Sequence, residues 1–168
     1  MSGVFFASDL HLGHRSVLKH TKETGGIRGG TTVEEHDEWI IQRCLSVAPN
    51  KRTIWWFLGD IAMDEQRLTL LDRVPGKKRL ILGNHDKMLT HKYLLHVDYI
   101  RGTVKHYGFW ISHIPVPQQE LRGLCNVHGH THHNDFAPGD LRYLNTAFEW
   151  LPNQQPIELT QVREYFGL

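Results

Sequence analysis

The sequence predicts an α/β fold of two packed, partly mixed sheets with helices on the outside, and three observations carry that prediction. Over the first half of the chain, short apolar runs ending in polar residues alternate with helical periodicity; the second half is a succession of strand-like runs separated by Gly, Pro or Asn. The composition, 40% apolar with seven Phe, five Trp and five Tyr in 168 residues, supplies one core's worth of buried surface and excludes disorder as the main state. A single domain over residues 1–168 is expected.

Residues 3–8 (GVFFAS) read as a buried strand, with Asp9 and His11 just past its end. From 19 to 32 the chain turns polar and carries Gly25, Gly26, Gly29 and Gly30, which reads as a mobile loop. Thr32 with Glu35 has the capping-box pattern, and Val33, Ile40, Ile41, Cys44, Leu45 and Ala48 follow at helical spacing until Pro49. Residues 53–58 (TIWWFL) form a second buried strand, and 65–74 a helix marked by Leu68, Leu71 and Val74 and stopped by Pro75-Gly76. A third strand over 79–82 (RLIL) ends at Gly83-Asn84-His85-Asp86, before a short helix over 88–95. Strands then follow at 102–106, 109–113, 124–128, 141–146 and 156–159, with a terminal helix over 160–166.

Charge and cysteine usage narrow the function classes. Lys+Arg 19 against Asp+Glu 18 leave a formal +1, so no global field draws the chain to nucleic acid or an anionic membrane. The apolar N-terminal stretch is too short for a signal peptide or a membrane span, and Cys44 and Cys125 read as two buried thiols of a reducing compartment. The expectation is a cytoplasmic protein without a membrane partner.

Histidine is the unusual entry in the composition, at 13 residues, and spacing selects which of them matter. Asp9-Leu10-His11, Gly59-Asp60, Gly83-Asn84-His85-Asp86, Ser112-His113 and Gly129-His130-Thr131-His132 each follow an apolar run. Ligands of α/β sheets bind beyond the strands' carboxyl ends, so these five segments can converge. In extended chain, residues i and i+2 point the same way, so Asp9 with His11, and His130 with His132, can each aim two ligands into one pocket. Glycines at 59, 83 and 129 permit close approach of backbone to a crowded site. Carboxylate, imidazole and one amide oxygen, with no thiolate, suit Mn²⁺, Fe or Zn²⁺ in an open site. Seven ligands, Asp9, His11, Asp60, Asn84, His113, His130 and His132, are too many for one ion and suffice for two if Asp60 bridges. Two divalent ions against two aspartates and a hydroxide leave about +1, a host for an anionic phosphate.

In this order, DLH at 9–11, GD at 59–60, GNHD at 83–86, the lone His113 and GHTH at 129–132 resemble the calcineurin-like metallophosphoesterases. The tail Asn145-Thr146-Ala147, followed by Pro156-Ile157, is similar to that of the small single-domain members of bacteria and phages, so the resemblance spans nearly the whole chain. It implies a four-layer α/β/β/α sandwich of two mixed sheets flanked by helices. It also implies a first metal on Asp9, His11, Asp60 and His132, a second on Asp60, Asn84, His113 and His130, and Mn²⁺ as the metal, with Fe, Zn²⁺ and Ni²⁺ as alternatives. His85 would donate a proton to the leaving oxygen, Asp86 would orient its ring, and a bridging hydroxide would attack phosphorus in line.

The function expected is therefore hydrolysis of phosphate esters, a small molecule or a cyclic or linear nucleotide, with phosphodiesters ahead. Phosphomonoesterase or protein-phosphatase-like activity stands as the alternative, as does a non-catalytic scaffold on the same fold, like the retromer scaffold subunit of this superfamily. A nuclease acting on DNA ends shares the motif order, but the +1 charge predicts no stable duplex binding. His14, Arg15, Arg28 and Lys87 are the substrate-contact candidates, Arg28 as a lid residue of the Gly-rich loop. His20, His36 and His133 read as surface residues, His128 as a core histidine with a backbone partner, and Trp55 and Trp56 as packing. Lys77, Lys78 and Arg79 read as a solvated edge about 15 Å from the metals, at ~3.3 Å per residue.

Overall fold

Strands β1 (Val4–Ala7), β2 (Ile54–Phe57) and β3 (Lys77–Ile81) are apolar runs too short to be helices, and they pair in parallel at the centre of a five-stranded sheet. The computed structural model describes residues 3–23, 28–47 and 50–168, and for 20–23 the backbone alone. The Gly25-Gly26 stretch, the His20 side chain, and Ala48 and Pro49 at the expected helix end lie outside the described residues. The sheet is completed by β4 (Tyr99–Arg101), parallel to β3, and β9 (Ile157–Glu158), antiparallel to β1, in the order β4-β3-β2-β1-β9. A four-stranded sheet holds β5 (Val104–His106), β6 (Phe109–Ile111), β7 (Asn126–His128) and β8 (Tyr143–Asn145) in that order, with β5 alone antiparallel to its neighbour. Both sheets are mixed, and helices flank them, as the sequence predicts.

The core lies where the two apolar faces meet. Phe5 pairs in register with Trp55 and Phe6 with Trp56, so odd and even positions form two faces, both buried. The Phe6 ring packs at 6.0 Å from Phe109 and 6.2 Å from Tyr107, which joins the first sheet to the second. Beyond the strand ends the sheets are stitched by backbone. The Ser8 amide donates to the Thr146 carbonyl at 2.9 Å, and the Thr146 amide to that of His128 at 2.7 Å. This stitch brings the carboxyl ends of β1, β7 and β8 to one rim.

Helix α2 (Val33–Val47) begins at the predicted box: the Glu35 amide donates to Thr32 Oγ1 at 3.2 Å, and the Thr32 amide donates back to Glu35 Oε2 at 3.3 Å. The 65–74 helix is α3 (Glu65–Leu68) running into a 3₁₀ turn over Thr69–Arg73, and α4 (Thr90–Tyr93) and α5 (Leu159–Phe166) follow.

Several expectations need correction. Residues 19–23, assigned to the loop, belong to helix α1 (Arg15–Glu23), whose polar sequence hides it but whose Val17 is buried. Strand β4 was not predicted; it is a half-exposed edge with little apolar signal. β3 begins at Lys77, and Lys78 is buried rather than solvated, its amide donating to Asp98 at 2.8 Å; burial lowers its ammonium's pKa. His36 is fully buried on the inner face of α2, not at the surface. Cys44 is buried, its thiol pushed up to about 12 by desolvation, whereas Cys125 is only half-buried; both are free. Trp55, Trp56 and His128 are buried as expected, His128 donating from Nδ1 to the Gly129 carbonyl at 2.9 Å.

Candidate metal centre

The five predicted segments meet at the stitched rim. Asp9, His11 and His132 offer ligand atoms within 4.8 Å of one another, as do Asp9, Asp60 and His113. His11 Nε2 lies 3.8 Å from Asp9 Oδ1 and 3.9 Å from Asp60 Oδ2, His132 Nε2 3.6 Å from Asp9 Oδ1, and His113 Nε2 3.4 Å from Asp60 Oδ2. Asn84 Oδ1 sits 2.9 Å from both His113 Nε2 and His130 Nδ1. Asp60 Oδ2 thus stands between His11 and His113, while Asp9 is common to both clusters.

The loops reach this geometry by a route different from the one expected. Asp9 and His11 are not extended; they take φ 55° and 52°, and Asp60, His130 and His132 take 54°, 71° and 46°. Left-handed backbone at a non-glycine residue costs ~1–2 kcal/mol, so five such residues at one rim are strain held by the surrounding structure. The holding contacts are backbone clasps: the Asp9 amide donates to the Gly59 carbonyl at 3.0 Å, His11 to Asp60 at 2.9 Å and Leu12 to Ile61 at 3.0 Å. Alternation survives: Leu10 and Leu12 turn into the core while Asp9 and His11 turn to the site. The close approach expected of the glycines is real at Gly83, where a Cβ would stand 2.2 Å from Asp60 Oδ1, and at Gly129, where it would stand 2.5 Å from Asp9 Oδ2.

Hydrogen bonding fixes which atoms face the centre. His113 Nδ1 donates to the Leu58 carbonyl at 2.7 Å, so in the neutral ring the Nε2 lone pair faces Asp60 Oδ2 and Asn84 Oδ1, both acceptors. His132 Nδ1 points to Glu149 Oε1 at 3.3 Å, leaving Nε2 toward Asp9 Oδ1 and, at 3.1 Å, toward His11 Nε2. Asp9 is fully buried; its Oδ2 accepts the His130 amide at 2.9 Å, and its Oδ1 has no hydrogen-bond partner among the described residues. A buried carboxylate oxygen without a donor, ringed by imidazole and carboxylate lone pairs, fits a cation. The residues present therefore suit divalent metal, and all their donor atoms are oxygen or nitrogen.

The local electrostatics respond to this crowding. Burial by itself raises the Asp60 carboxyl, but a His113 ring protonated at Nε2 as well, through its hydrogen bond and charge, and the His85 amide at 2.8 Å hold it at about 2. His11, desolvated and near Arg28 and His132, is lowered well below the ordinary histidine value. Burial pulls His132 down most, yet the Glu149 hydrogen bond and the Asp9 and Glu149 charges together outweigh it and raise the ring.

His85 is half-buried on the wall of an open cleft of about 500 Å³, edge-on to His11 at 5.5 Å between centroids. His14 lines the same cleft, stacked on His11 at 5.1 Å. Asp86 does not orient the His85 ring: its carboxylate accepts the amides of Gly83 (2.8 Å), Asp60 (2.8 Å) and Ile61 (3.0 Å), and so shapes the loop under the site. Arg28 is no lid. Its guanidinium is buried, gripping Glu149 at 2.7 and 3.0 Å. Arg15 and Lys87 are exposed and are not among the residues lining the cleft, whereas His133, also exposed, is one of them.

Glu149 is the residue sequence reasoning missed. It lies beyond the GHTH segment in sequence, and its one signal is a lone carboxylate between Phe148 and Trp150, an apolar setting in which a charge is rarely buried unless paired. Trp150 adds to the same support, its Nε1 donating to the His132 carbonyl.

No family model matches the chain. It is 32% identical to the Gene 66 protein of Mycobacterium phage D29 over 79% of each chain. It is 30% identical to the Gene 66 protein of Mycobacterium phage L5, over 79% of this chain and 78% of that one. Among solved structures it is similar in fold to AQ665 of Aquifex aeolicus, a protein of unknown function, with a TM-score of 0.74, 22% identity, and 98% of this chain and 99% of that one covered. The nuclease MPE of Pseudomonas putida shares the fold more loosely, with a TM-score of 0.51 and 18% identity over 77% of this chain and 61% of that one.

Proposed function

The chain belongs to the family of the mycobacteriophage Gene 66 proteins, and from its Asp/His cluster we propose that it is a metal-dependent phosphoesterase of the calcineurin-like type, acting on phosphodiesters ahead of monoesters. The observation that carries the reading is the orphaned, fully buried Asp9 Oδ1 facing His11 and His132 across from the Asp60–His113 pair. The shared fold with a nuclease, itself a phosphodiester-cleaving enzyme, supports the same reaction class.

In this reading Asp9, His11, Asp60 and His132 hold one divalent ion, and Asp60, Asn84, His113 and His130 the other, with Mn²⁺ as the first choice. When bound, such ions supply positive charge to the phosphate oxygens and lower the pKa of attacking water. The chain's own residues do the rest. Asp86 fixes the 83–86 loop through three amides, so that Asn84 and His85 face the site. His85, on the cleft wall and fastened by its amide to Asp60 Oδ1, delivers a proton to the departing ester oxygen. The cleft, of about 500 Å³, has room for an ester with two substituents, as a diester requires.

The experiment is hydrolysis of a bis-aryl phosphate diester by the Mn²⁺-loaded protein. It is expected to depend on the metal and to fall ~10²–10⁴-fold in His85→Ala with metal content retained. Equal rates for the two proteins would remove His85 from the chemistry, and no hydrolysis of mono- or diesters with any divalent metal would sink the reading. The nuclease fold likeness favours a second reading, strand cleavage of DNA; nicking or shortening of linear duplex on a gel would move the assignment there.

A further inference from the structure

Beside the metal cleft lies a second groove, of about 390 Å³, and the two share Asn134 as a common wall. Three aromatic rings that line it are each nearly half exposed, Phe136 at 44%, Trp150 at 44% and Tyr165 at 43%. The polar atoms of the two that have one are already occupied. Trp150 Nε1 is tied to the His132 carbonyl, and the Tyr165 hydroxyl donates to the Tyr143 carbonyl at 3.0 Å. Phe136 stands edge-on to Tyr143, 5.1 Å between centroids. Rings anchored by their edges with much of their surface open are a rigid platform for a flat ligand, and concentrated exposed aromatic surface of this kind marks a binding site.

The charge of the groove narrows the ligand. No Lys or Arg is among its described lining residues, whereas Asp135 and Asp140 are. Asp140 is already ion-paired with Arg142 at 2.6 Å, which leaves Asp135 as the lining carboxylate without a cation among the described residues. A phosphate inside the groove would find no cation to hold it, while an uncharged heterocycle bearing amino donors would meet the Asp135 acceptor. Its phosphate would have to lie outside, and the adjoining Asp/His cleft is where one can go.

We propose that this groove is the nucleobase subsite of a mononucleotide ester whose phosphate occupies the metal cleft, an inference that rests on the phosphoesterase reading above. A groove with no Lys or Arg among its described lining residues makes the ligand a single nucleotide rather than a strand whose phosphates continue across it. Base stacking on these rings then selects nucleotide esters over other phosphate esters.

The test is calorimetric titration of the full-length, Mn²⁺-loaded protein with AMP, ribose 5-phosphate, inorganic phosphate and a single-stranded tetranucleotide. AMP is expected to bind about tenfold or more tighter than ribose 5-phosphate, and inorganic phosphate to displace both. Phe136→Ala should bring AMP to within about twofold of ribose 5-phosphate, and Leu141→Ser, at a position 69% exposed in the same groove, should weaken AMP with the fold intact by circular dichroism. Equal affinities for AMP and ribose 5-phosphate, or an AMP preference untouched by both substitutions, would overturn the base subsite and leave the phosphoesterase reading standing. Tighter, groove-dependent binding of the tetranucleotide would overturn the mononucleotide assignment. Failure of inorganic phosphate itself to bind would strike the phosphoesterase reading instead.

Discussion

Glu149 carries the smallest-scale prediction, because it reaches the centre only through His132. An imidazole that offers Nε2 to a metal is oriented by what its Nδ1–H bonds, here a carboxylate that Arg28 grips from behind. Glu149→Gln keeps the shape and removes the charge, and is expected to weaken Mn²⁺ binding ~10–100-fold by calorimetry with little change in the far-ultraviolet spectrum. Unchanged affinity would make Glu149 a structural partner of Arg28 alone. A second residue gives a pH dependence. Burial lowers the His36 pKa, with Arg28 opposing its charge and Asp37 and Glu149 favouring it. An unfolded histidine titrates near 6.5, so His36 contributes its stability above that pH, and the contribution is lost as pH falls from there through the depressed folded value. Urea midpoints at pH 7.5 and 5.5 should therefore differ less in His36→Gln than in the wild type. The predicted ligands were legible in the sequence because each follows an apolar run and carries a donor no core position needs. The left-handed backbone at Asp9, His11, Asp60, His130 and His132 was not, since none is a glycine. Glu149 was not either, because its partner His132 is brought to it only by the fold.

Between elements, Arg67 of α3 straps α3 to α2. Its Nη1 donates to Asp37 Oδ2 at 3.0 Å, and Asp37 Oδ1 in turn accepts the Gly13 amide at 2.9 Å, just after ligand His11. Asp37 is almost fully buried, so Arg67→Met leaves a carboxylate short of its counter-charge. The expected loss is about 1–3 kcal/mol, read as a lower urea midpoint at unchanged slope. A midpoint equal to wild type would show the strap to be a solvent-screened surface pair. Elements with a clear apolar period, α2, β1 and β2, stand within a residue or two of their predicted bounds. Those that fail share one cause, short or polar segments whose order comes from neighbours. α1 is polar except for a few positions such as buried Val17, and β4 is an edge strand formed by pairing with β3.

At the scale of the molecule, two mixed sheets joined through Phe6, Tyr107 and Phe109 hold their carboxyl ends at one rim, and the Ser8–Thr146–His128 stitch keeps them there. This architecture was readable from the succession of elements, because a helix-interleaved first half and a strand-rich second half leave few other ways to bury both sets of apolar faces. No helix among the described residues is long and apolar enough to cross a membrane. What the frame does for function is bring Asp9, Asp60, Asn84, His113 and His132 together from strand ends scattered along the chain. Elemental analysis of the full-length protein, equilibrated with Mn²⁺ and freed of excess metal on a desalting column, tests that claim most directly. Two ions per chain are expected, falling to one or fewer in Asp60→Asn; a wild-type ratio below one would contradict the account.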